Sequence, residues 1–483
     1  MTVALAERRE GCLTPLERLE ALADPGSLQL LRTGVRSRRM GERARAGDGV
    51  LAGHARVDGR QIYCYAQDSS FAGGSLGEAH AQTVVETLRL AGRARVPVIS
   101  FVDSAGARMQ EGLAALSGYG RIFSEHVRLS GLVPQISIVC GPSAGGSSYG
   151  PALTDFVIMG AGAAMFLTGP AVVAEVTGEQ VDAASLGGPH VHERNGVCHF
   201  TAPSDADAAL LARELLGYLP QHVGESPELW PTVPGPDTSP GRSVPREARK
   251  VYDVRTVATA LVDGGRLMEV SPRRSPNVIC ALARVEGRAL GIVANQPRYL
   301  GGVLDADAAQ KAARFVRTCN AFGLPLVVLV DTPGFLPGTC QEQDGVIRHG
   351  AKLVHAFAEA TVPSVTVILR KAFGGAFIAM NSKALGADYV FAWPSAELGV
   401  MGAEQAVGIL NRREIAAADD PPTARQRLAR SYAGEHLHVE VASADGSVDE
   451  VIDPRETRER VAACLGALAH VRRPEPRATN IQL

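Results

Sequence analysis

The 483-residue chain lacks features that several protein classes require: it has no C-x-x-C pair, no excess of charge and only 5% aromatic residues. Its eight cysteines are scattered, so zinc ribbons and dithiol redox motifs are not predicted, and such thiols are typical of the reducing cytoplasm. The formal net charge of −2 gives no general attraction to nucleic acid or to an anionic membrane. We therefore predict a cytoplasmic globular protein with no nucleic-acid or membrane partner.

The sequence also lacks a GxxxxGK[ST] loop for ATP phosphates, and its N-terminus lacks the apolar core of a signal peptide. The uncharged stretch 156–174 is long enough to cross a bilayer, but glycines and Pro170 interrupt it, so we interpret it as a buried αβ segment. His190, His192 and His199 lie close in sequence, but no carboxylate or fourth ligand stands at a recognised spacing. No metal site is predicted.

Residues 133–153 carry the clearest structural signal of the chain. An apolar strand is predicted over 135–141, Pro142 ends it, and a helix follows the pair Gly145-Gly146. A strand, a glycine pair and a helix start together point backbone N–H groups into open space. Such donors suit an anion, either a phosphate or an oxyanion that develops during a reaction.

This pattern occurs twice, which indicates an internal duplication. Val362 and Gly374 follow Val133 and Gly145 by 229 positions, and the second copy again reads as a strand, a glycine pair and a helix start. A period of this size indicates duplicated domains rather than a solenoid. Further pairs at nearly the same spacing are 57–60 with 285–288, Gly73-Gly74 with Gly301-Gly302, and Asp103 with Asp331.

A boundary between two domains is predicted in 220–245, which contains seven prolines. We assign residues 1–232 to the first domain and 250–483 to the second. Each half reads as a hairpin, a helix and a buried strand, which is typical of an α/β unit. The predicted elements are a helix from Thr14-Pro15, hairpins at Asp58-Gly59 and Glu286-Gly287, helices over 77–94 and 305–322, strands over 96–102 and 324–330, and an extended tail from Arg472.

Two other function classes remain open from the residues alone. Ser148 lies in a G-x-S-x-G sequence that fits the nucleophile elbow of a serine hydrolase, although the corresponding residues 375–378 contain no serine. A non-catalytic scaffold, in which the glycine pairs only pack, is the second alternative. Arg108 and Glu111 follow the 96–102 strand and either orient a ligand or cap a helix.

Longer motifs run through both halves. They are DGVLAGHARVDGR, FAGGSLGEAH, DSAGARMQEG and GYGRIF in the first, and ANQPRYLGG, KAARFVRTCNAF, DTPGFLPGT, RKAFGGAF and AWPSAELGVMGAEQAV in the second. Together they resemble the carboxyltransferase (β) subunit of biotin-dependent acyl-CoA carboxylases, most closely the propionyl-CoA carboxylase type. The resemblance covers the chain from about Thr14 onward, and no AMKM or VMKM sequence for a biotinylated lysine is present.

The resemblance implies an α/β fold of two duplicated crotonase-like domains (the ClpP/crotonase fold) in a homohexamer, a trimer of dimers. It implies that acyl-CoA binds the N-terminal domain of one protomer. Carboxybiotin, carried by a biotin carboxylase/biotin carboxyl carrier (α) subunit, would bind the C-terminal domain of another. The carboxyl group then moves to the α-carbon through an enolate, without a side-chain base or a metal. A biotin-dependent decarboxylase or transcarboxylase, which uses the same site in reverse, is the alternative.

The resemblance also implies the site residues. Gly145 and Gly146 would donate N–H bonds to the thioester oxygen, and Gly375 and Ala376 would donate to the ureido oxygen of biotin. Ala105 stands where a glycine is usual, and Ile378 stands where propionyl-preferring relatives often have Asp, so the acyl group stays open. The implied substrate contacts are Ala105, Gly106, Ala107, Arg108 and Ile378.

Overall fold

The computed structural model describes residues 12–247 and 249–471. Two compact units divide the chain, the first ending at Pro227 and the second beginning at Glu228. This division falls inside the proline-rich stretch 220–245. The predicted tail from Arg472 lies outside the described residues.

The first unit alternates helices and strands, as the sequence predicts. Its elements are α1 (Pro15–Leu22), β1 (Gln29–Leu31), β2 (Val50–Val57), β3 (Arg60–Gln67), α2 (Glu78–Ala94), β4 (Val98–Ser104), α3 (Leu113–Leu129), β5 (Gln135–Ala144), α4 (Gly146–Ala152), β6 (Phe156–Gly160), β7 (Ala164–Phe166), α5 (Pro170–Thr177), α6 (Ala183–Gly187), α7 (Pro189–Asn195), β8 (Phe200–Ala202) and α8 (Asp205–Tyr218).

The second unit repeats this order and adds helices near its end. Its elements are α9 (Val254–Leu261), β9 (Met268–Glu269), β10 (Val278–Val285), β11 (Arg288–Asn295), α10 (Ala306–Ala321), β12 (Leu326–Thr332), α11 (Thr339–Gln343), α12 (Val346–Glu359), β13 (Ser364–Phe373), α13 (Gly374–Ala379), β14 (Tyr389–Ala392), β15 (Glu397–Gly399), α14 (Ala403–Leu410), α15 (Arg412–Ala417), α16 (Pro421–Tyr432), α17 (Val439–Ala444), β16 (Glu450–Val451) and α18 (Thr457–Ala467).

Each unit contains one sheet of eight strands within the described residues. The first has the order β1-β2-β3-β4-β5-β6-β8, with β7 paired to β5. The second has the order β9-β10-β11-β12-β13-β14-β16, with β15 paired to β13. In both, the first three strands are antiparallel and the others pair in parallel. The two sheets match strand for strand, which confirms the predicted α/β duplication.

Local sequence signals account for the boundaries of several elements. Thr14 and Glu17 form a capping box at the start of α1, with the Glu17 carboxylate accepting the Thr14 N–H at 2.7 Å. Both hairpins turn through residues with positive φ: Asp58 (+49°) and Gly59 (+80°) in the first unit, and the pair Glu286-Gly287 in the second. Two successive positive φ angles belong to the tight turn that matches the twist of paired strands.

Apolar side chains fill the space between each sheet and its helices. In the first unit Val84 and Leu88 of α2 and Ile122 of α3 are among the buried residues packed over β2–β4. In the second unit Trp393 is 1% exposed within the core, and its indole N–H donates to the Thr457 hydroxyl at 3.0 Å. Burial of this size is the main source of stability for each unit.

The structure corrects the predicted end of the central strand. β5 continues through Pro142 to Ala144, because its last residues pair with β7 on one side, while the register with β4 shifts between Val102 and Ser104 on the other. Such an irregularity is where a strand tolerates a residue without an N–H. The uncharged stretch 156–174 forms β6, β7 and the first half of α5, with the two strands largely buried.

Candidate functional site

The first unit turns sharply between β5 and α4. Gly145 has φ +59° and ψ −124°, a conformation that residues with side chains rarely adopt. Its N–H donates to the carbonyl oxygen of Phe166 at 2.9 Å. Gly146 is the first helical residue, and N–H groups of a first turn have no acceptor within the helix. The structure thus differs from the sequence prediction at Gly145, whose N–H is used within the fold, whereas the N–H of Gly146 has no acceptor within the helix.

An aromatic ring lies directly against this helix start. A Cβ atom added to Gly146 would lie 2.8 Å from the ring of Tyr119 on α3, so only glycine fits without a shift of the ring. Tyr119 itself is 6% exposed and is held by the core of the unit. The backbone of Gly146 therefore lies beside an aromatic ring that the core holds in place.

The second unit contains the same turn between β13 and α13. Gly374, the first residue of α13, has φ +62°, and Gly375 follows it in the first turn. Gly375 is exposed, and the nearest atoms to an added Cβ would be those of the Phe335 ring at 3.9 Å. Ala376, the next residue, is fully buried. Gly375 lies 229 positions after Gly146, so the two units present equivalent N–H groups, one beside Tyr119 and one in a more open setting.

The loop after β4 lies next to the helix start of the first unit. The exposed Ala105 donates its N–H to Gly73 O at 2.9 Å, and Gly106 accepts the N–H of Leu76 at 2.9 Å. A Cβ added to Gly106, which has φ +98°, would lie 2.9 Å from the carbonyl oxygen of Ala144. The structure thus brings residues 105–107 together with the Gly145-Gly146 turn.

Arg108, in contrast, does not reach this site. Its side chain is fully buried and forms ion pairs with Asp48 Oδ1 at 2.6 Å and Glu111 Oε1 at 2.8 Å. It also donates to Ser75 O at 2.9 Å, and its guanidinium lies 5.1 Å from the centre of the Phe71 ring. The side chain of Arg108 thus ties the loop to the rest of the unit, and its role in substrate binding stays a prediction.

The duplicated aspartates near the ends of β4 and β12 each contact a buried arginine. Asp103 lies 3.3 Å from Arg18 of α1, and Asp331 lies 3.1 Å from Arg370 of β13. The position in β5 equivalent to Arg370 is Gly141, where an added Cβ would lie 2.3 Å from Asp103 Oδ1. The first unit thus replaces an arginine of the strand with one from α1, a contact that sequence spacing did not reveal.

Ser148 is held by the backbone and is not poised for attack. Its hydroxyl donates to Ser143 O and accepts the Phe166 N–H at 3.2 Å. Within the described residues no histidine contacts it. Two of the candidate histidines are also used by the backbone: His192 Nε2 lies 2.8 Å from Met165 O, and His199 Nδ1 accepts the Val157 N–H at 3.0 Å. This geometry disfavours the serine hydrolase.

Ser148→Ala provides a direct test of that conclusion. We expect the carboxyl transfer that the resemblance implies to stay within about threefold of the parent, because Ser148 loses only hydrogen bonds to the backbone, worth about 1 kcal/mol each. Thermal unfolding should show the corresponding modest destabilisation. A folded Ser148→Ala variant with transfer reduced by about a hundredfold would show instead that the hydroxyl takes part in the reaction.

No group of three or more His, Cys, Asp or Glu side chains is placed to hold a metal ion in residues 12–247 and 249–471. In the same residues, the helices are too short or too polar to cross a lipid bilayer.

Comparisons with known proteins agree with the geometry. The model of the carboxyl transferase domain family matches residues 6–481. The methylmalonyl-CoA carboxyltransferase 12S subunit of Propionibacterium freudenreichii subsp. shermanii is 47% identical, over 97% of this chain and 91% of that protein. A putative propionyl-CoA carboxylase beta chain of Bacillus subtilis (strain 168) is 45% identical, over 99% of this chain and 95% of that protein. The crystal structure of a transcarboxylase 12S hexamer with methylmalonyl-coenzyme A bound has a TM-score of 0.95 at 46% identity, covering 98% of this chain and 93% of that one.

Proposed function

The chain belongs to the carboxyl transferase family and is an acyl-CoA carboxyltransferase of the biotin-dependent propionyl-CoA carboxylase and transcarboxylase type. From this premise we propose that its two helix starts act as a pair of oxyanion sites. The observation that carries the proposal is the equivalent placement of Gly146 and Gly375, each directly after a glycine with positive φ and in the first turn of a helix.

Carboxyl transfer develops negative charge on two oxygens, and the duplication supplies one donor site for each. Gly146 would stabilise the enolate oxygen of the acyl thioester, with Tyr119 beside it. Gly375 would stabilise the ureido oxygen of biotin, with the Ala376 N–H as a second donor. Donors fixed in place before the reaction stabilise such charge without reorganisation. Biotin, when bound, supplies the carboxyl group that is transferred.

The open surroundings of Gly375 fit a large ring on a carrier. Gly375 is exposed, and no atom would lie closer than 3.9 Å to an added Cβ. Phe335 offers an aromatic face beside the donor. The tighter setting of Gly146, with the loop 105–107 next to it, fits the flat thioester of an acyl-CoA. We therefore assign acyl-CoA to the first unit and carboxybiotin to the second.

The two half-sites of one reaction would come from different copies of the chain. The transcarboxylase 12S relative is a hexamer that binds its substrate within a multienzyme core. By analogy, we propose a homohexamer, a trimer of dimers, that works with a separate biotin carboxylase/biotin carboxyl carrier subunit. The exposed apolar side chains of α3 and α4, such as Val127 and Tyr149, would be covered in this assembly.

The experiment that tests the function is a transfer assay with a biotinylated carrier and a panel of acyl-CoAs, run in both directions. Carboxylation of a short acyl-CoA from carboxylated carrier is the expected result. Faster carboxyl transfer from a carboxylated acyl-CoA to the carrier would favour the transcarboxylase or decarboxylase alternative. If no acyl-CoA reacts in either direction, the proposal is contradicted.

Ile378 should set the acyl preference of the site. It lies on α13 of the second unit, two residues after Ala376, and is 48% exposed, so it can face an acyl chain that is bound to the first unit of another copy. Ile378→Asp places a carboxylate beside the acyl chain, and we expect kcat/KM for longer acyl-CoAs to fall about tenfold relative to the shortest. Ile409→Asp, at a 66% exposed position of α14, is the matched control and should leave the ratio unchanged. If the ratio of kcat/KM between longer and shortest acyl-CoAs is the same in both variants, Ile378 does not line the acyl pocket.

A further inference from the structure

A cluster of basic side chains on the second unit has no part in the proposed transfer. Arg274 comes from the turn after β9, and Arg348, His349 and Lys352 come from α12. His349 and Lys352 are each only 9% exposed, while Arg348 is exposed. Arg348 lies against His349, with 3.4 Å between a guanidinium nitrogen and Nε2. Lys352, Arg348 and Arg274 all lie near enough to His349 to lower its pKa, and Arg348 and Arg274 do the same to Lys352, so basic groups are gathered at a partly buried position.

This cluster has little compensating negative charge. The carboxylate that faces it, that of Asp307 on α10, lies 3.8 Å from Arg274 and is 73% exposed. In the part of the chain that the structure describes, Lys352 forms no ion pair; burial, Arg348 and Arg274 all lower its pKa. His349 Nδ1 is buried without a hydrogen-bond partner. A buried donor or acceptor left unpaired costs about 1–3 kcal/mol, so an unpaired group in a folded protein calls for a partner.

The cluster is not a by-product of the duplication. At the 229-residue spacing that relates β5 to β13, the positions equivalent to His349 and Lys352 are Gly120 and Phe123. Packing that is common to both units therefore does not explain why two basic residues stand where the first unit has glycine and phenylalanine. The second unit therefore has a property at this place that the first unit lacks.

We propose that Arg274, Arg348, His349 and Lys352 form a binding site for a phosphate group. A phosphate carries about two negative charges and several acceptor oxygens, which suit a guanidinium fork together with an ammonium group. A carboxylate would neutralise only one of the clustered charges. Because Nε2 of His349 faces the guanidinium of Arg348, which only donates, the neutral ring carries its proton on Nδ1, and a bound phosphate would give this N–H an acceptor. The phosphate group belongs either to inorganic phosphate or to a phosphomonoester of a larger molecule.

The expected proton linkage follows from the surroundings of His349. Burial, with Lys352, Arg348 and Arg274 nearby, lowers the pKa of His349 in the free protein, while Asp307 opposes this shift. A bound dianion reverses the sign of the local charge and raises that pKa. Near pH 6.5 the phosphate titrates as well, and its proton is released when the site selects the dianion. Proton uptake by His349 should therefore partly offset this release.

Titration calorimetry of the full chain with inorganic phosphate, at constant ionic strength in two buffers of different ionisation enthalpy, tests the proposal. We expect one site per chain. Lys352→Gln should weaken binding by about tenfold or more. His349→Gln should shift the net proton exchange toward release relative to the parent, because only the phosphate then titrates. Lys250→Gln is the control, because Lys250 is 67% exposed and pairs with Glu247 at 3.0 Å. Equal affinity in the Lys352→Gln variant and the parent, or no binding to the parent, would overturn the site.

Two further titrations complete the experiment. Adenosine monophosphate and adenosine distinguish the sources of the group: tighter binding of the monophosphate than of inorganic phosphate identifies a phosphomonoester, and equal binding identifies the free ion. If Lys352→Gln does not fold, Arg274→Gln removes a charge from the turn after β9 and should weaken phosphate binding in the same way. An Arg274→Gln variant that folds and binds phosphate as the parent does would contradict the proposal.

Discussion

Gly375→Pro is expected to slow carboxyl transfer by about 10²–10³, or about 3–4 kcal/mol of transition-state stabilisation. The substitution deletes the N–H that we assign to the ureido oxygen of biotin. Gly375 is the second residue of α13, and proline is tolerated in the first turn of a helix, where no intrahelical hydrogen bond is lost. The preceding Gly374 has φ +62° and is therefore outside the helical region that a following proline disfavours. The fold should survive, so the rate reports the donor.

Gly375→Ala is the matched control for this experiment. It keeps the N–H and adds a Cβ atom that would lie 3.9 Å from Phe335, an ordinary contact distance. We expect transfer by this variant to stay within about threefold of the parent. Both variants should bind acyl-CoA normally, as measured by calorimetry, because that substrate is assigned to the first unit. Transfer by Gly375→Pro at the level of Gly375→Ala would show that this helix start only packs.

Much of the fold was predictable because the duplication places the sequence pattern of each element in the chain twice. Three features recur at nearly one spacing: the apolar runs, the hairpin turns Asp58-Gly59 and Glu286-Gly287, and the glycine pairs. In the structure, both copies form sheets with the same strand order. The helix starts follow from short-range signals, since a glycine with positive φ before a helix is a local requirement.

The errors arose where distant parts of the chain decide the outcome. Pro142 ends a strand by its own chemistry, but pairing with β7 extends β5 past it. The sequence around Gly145 predicts a free N–H donor, but the carbonyl of Phe166, 21 residues later, accepts this N–H in the structure. Arg18, which pairs with Asp103, is likewise far away in sequence. Partners of this kind depend on how strands and helices are arranged, which spacing along the chain does not encode.

Arg108→Met should reduce the free energy of unfolding of the first unit by about 3–5 kcal/mol. Removal of the guanidinium leaves Asp48 and Glu111 as buried carboxylates without their shared counter-charge, while Met fills a similar volume. Burial already raises the pKa of Asp48 against the effect of Arg108, so this carboxylate depends strongly on its partner. Denaturant unfolding of the variant should show the loss directly.

Arg128→Met is the control, because Arg128 also pairs with a glutamate three residues away, Glu125 at 3.2 Å, but its side chain is 68% exposed. Such a pair contributes about 0–1 kcal/mol, so little change is expected. The loss of unfolding free energy in Arg108→Lys should lie between the losses in Arg108→Met and Arg128→Met, since lysine restores the charge but cannot reproduce the forked contacts of arginine.

If Arg108 contacts the ligand instead, Arg108→Met should unfold as the parent does but have a raised KM for acyl-CoA. That result would return Arg108 to the substrate site, whereas a large loss of stability places its role in fixing the loop 105–107 beside Gly146.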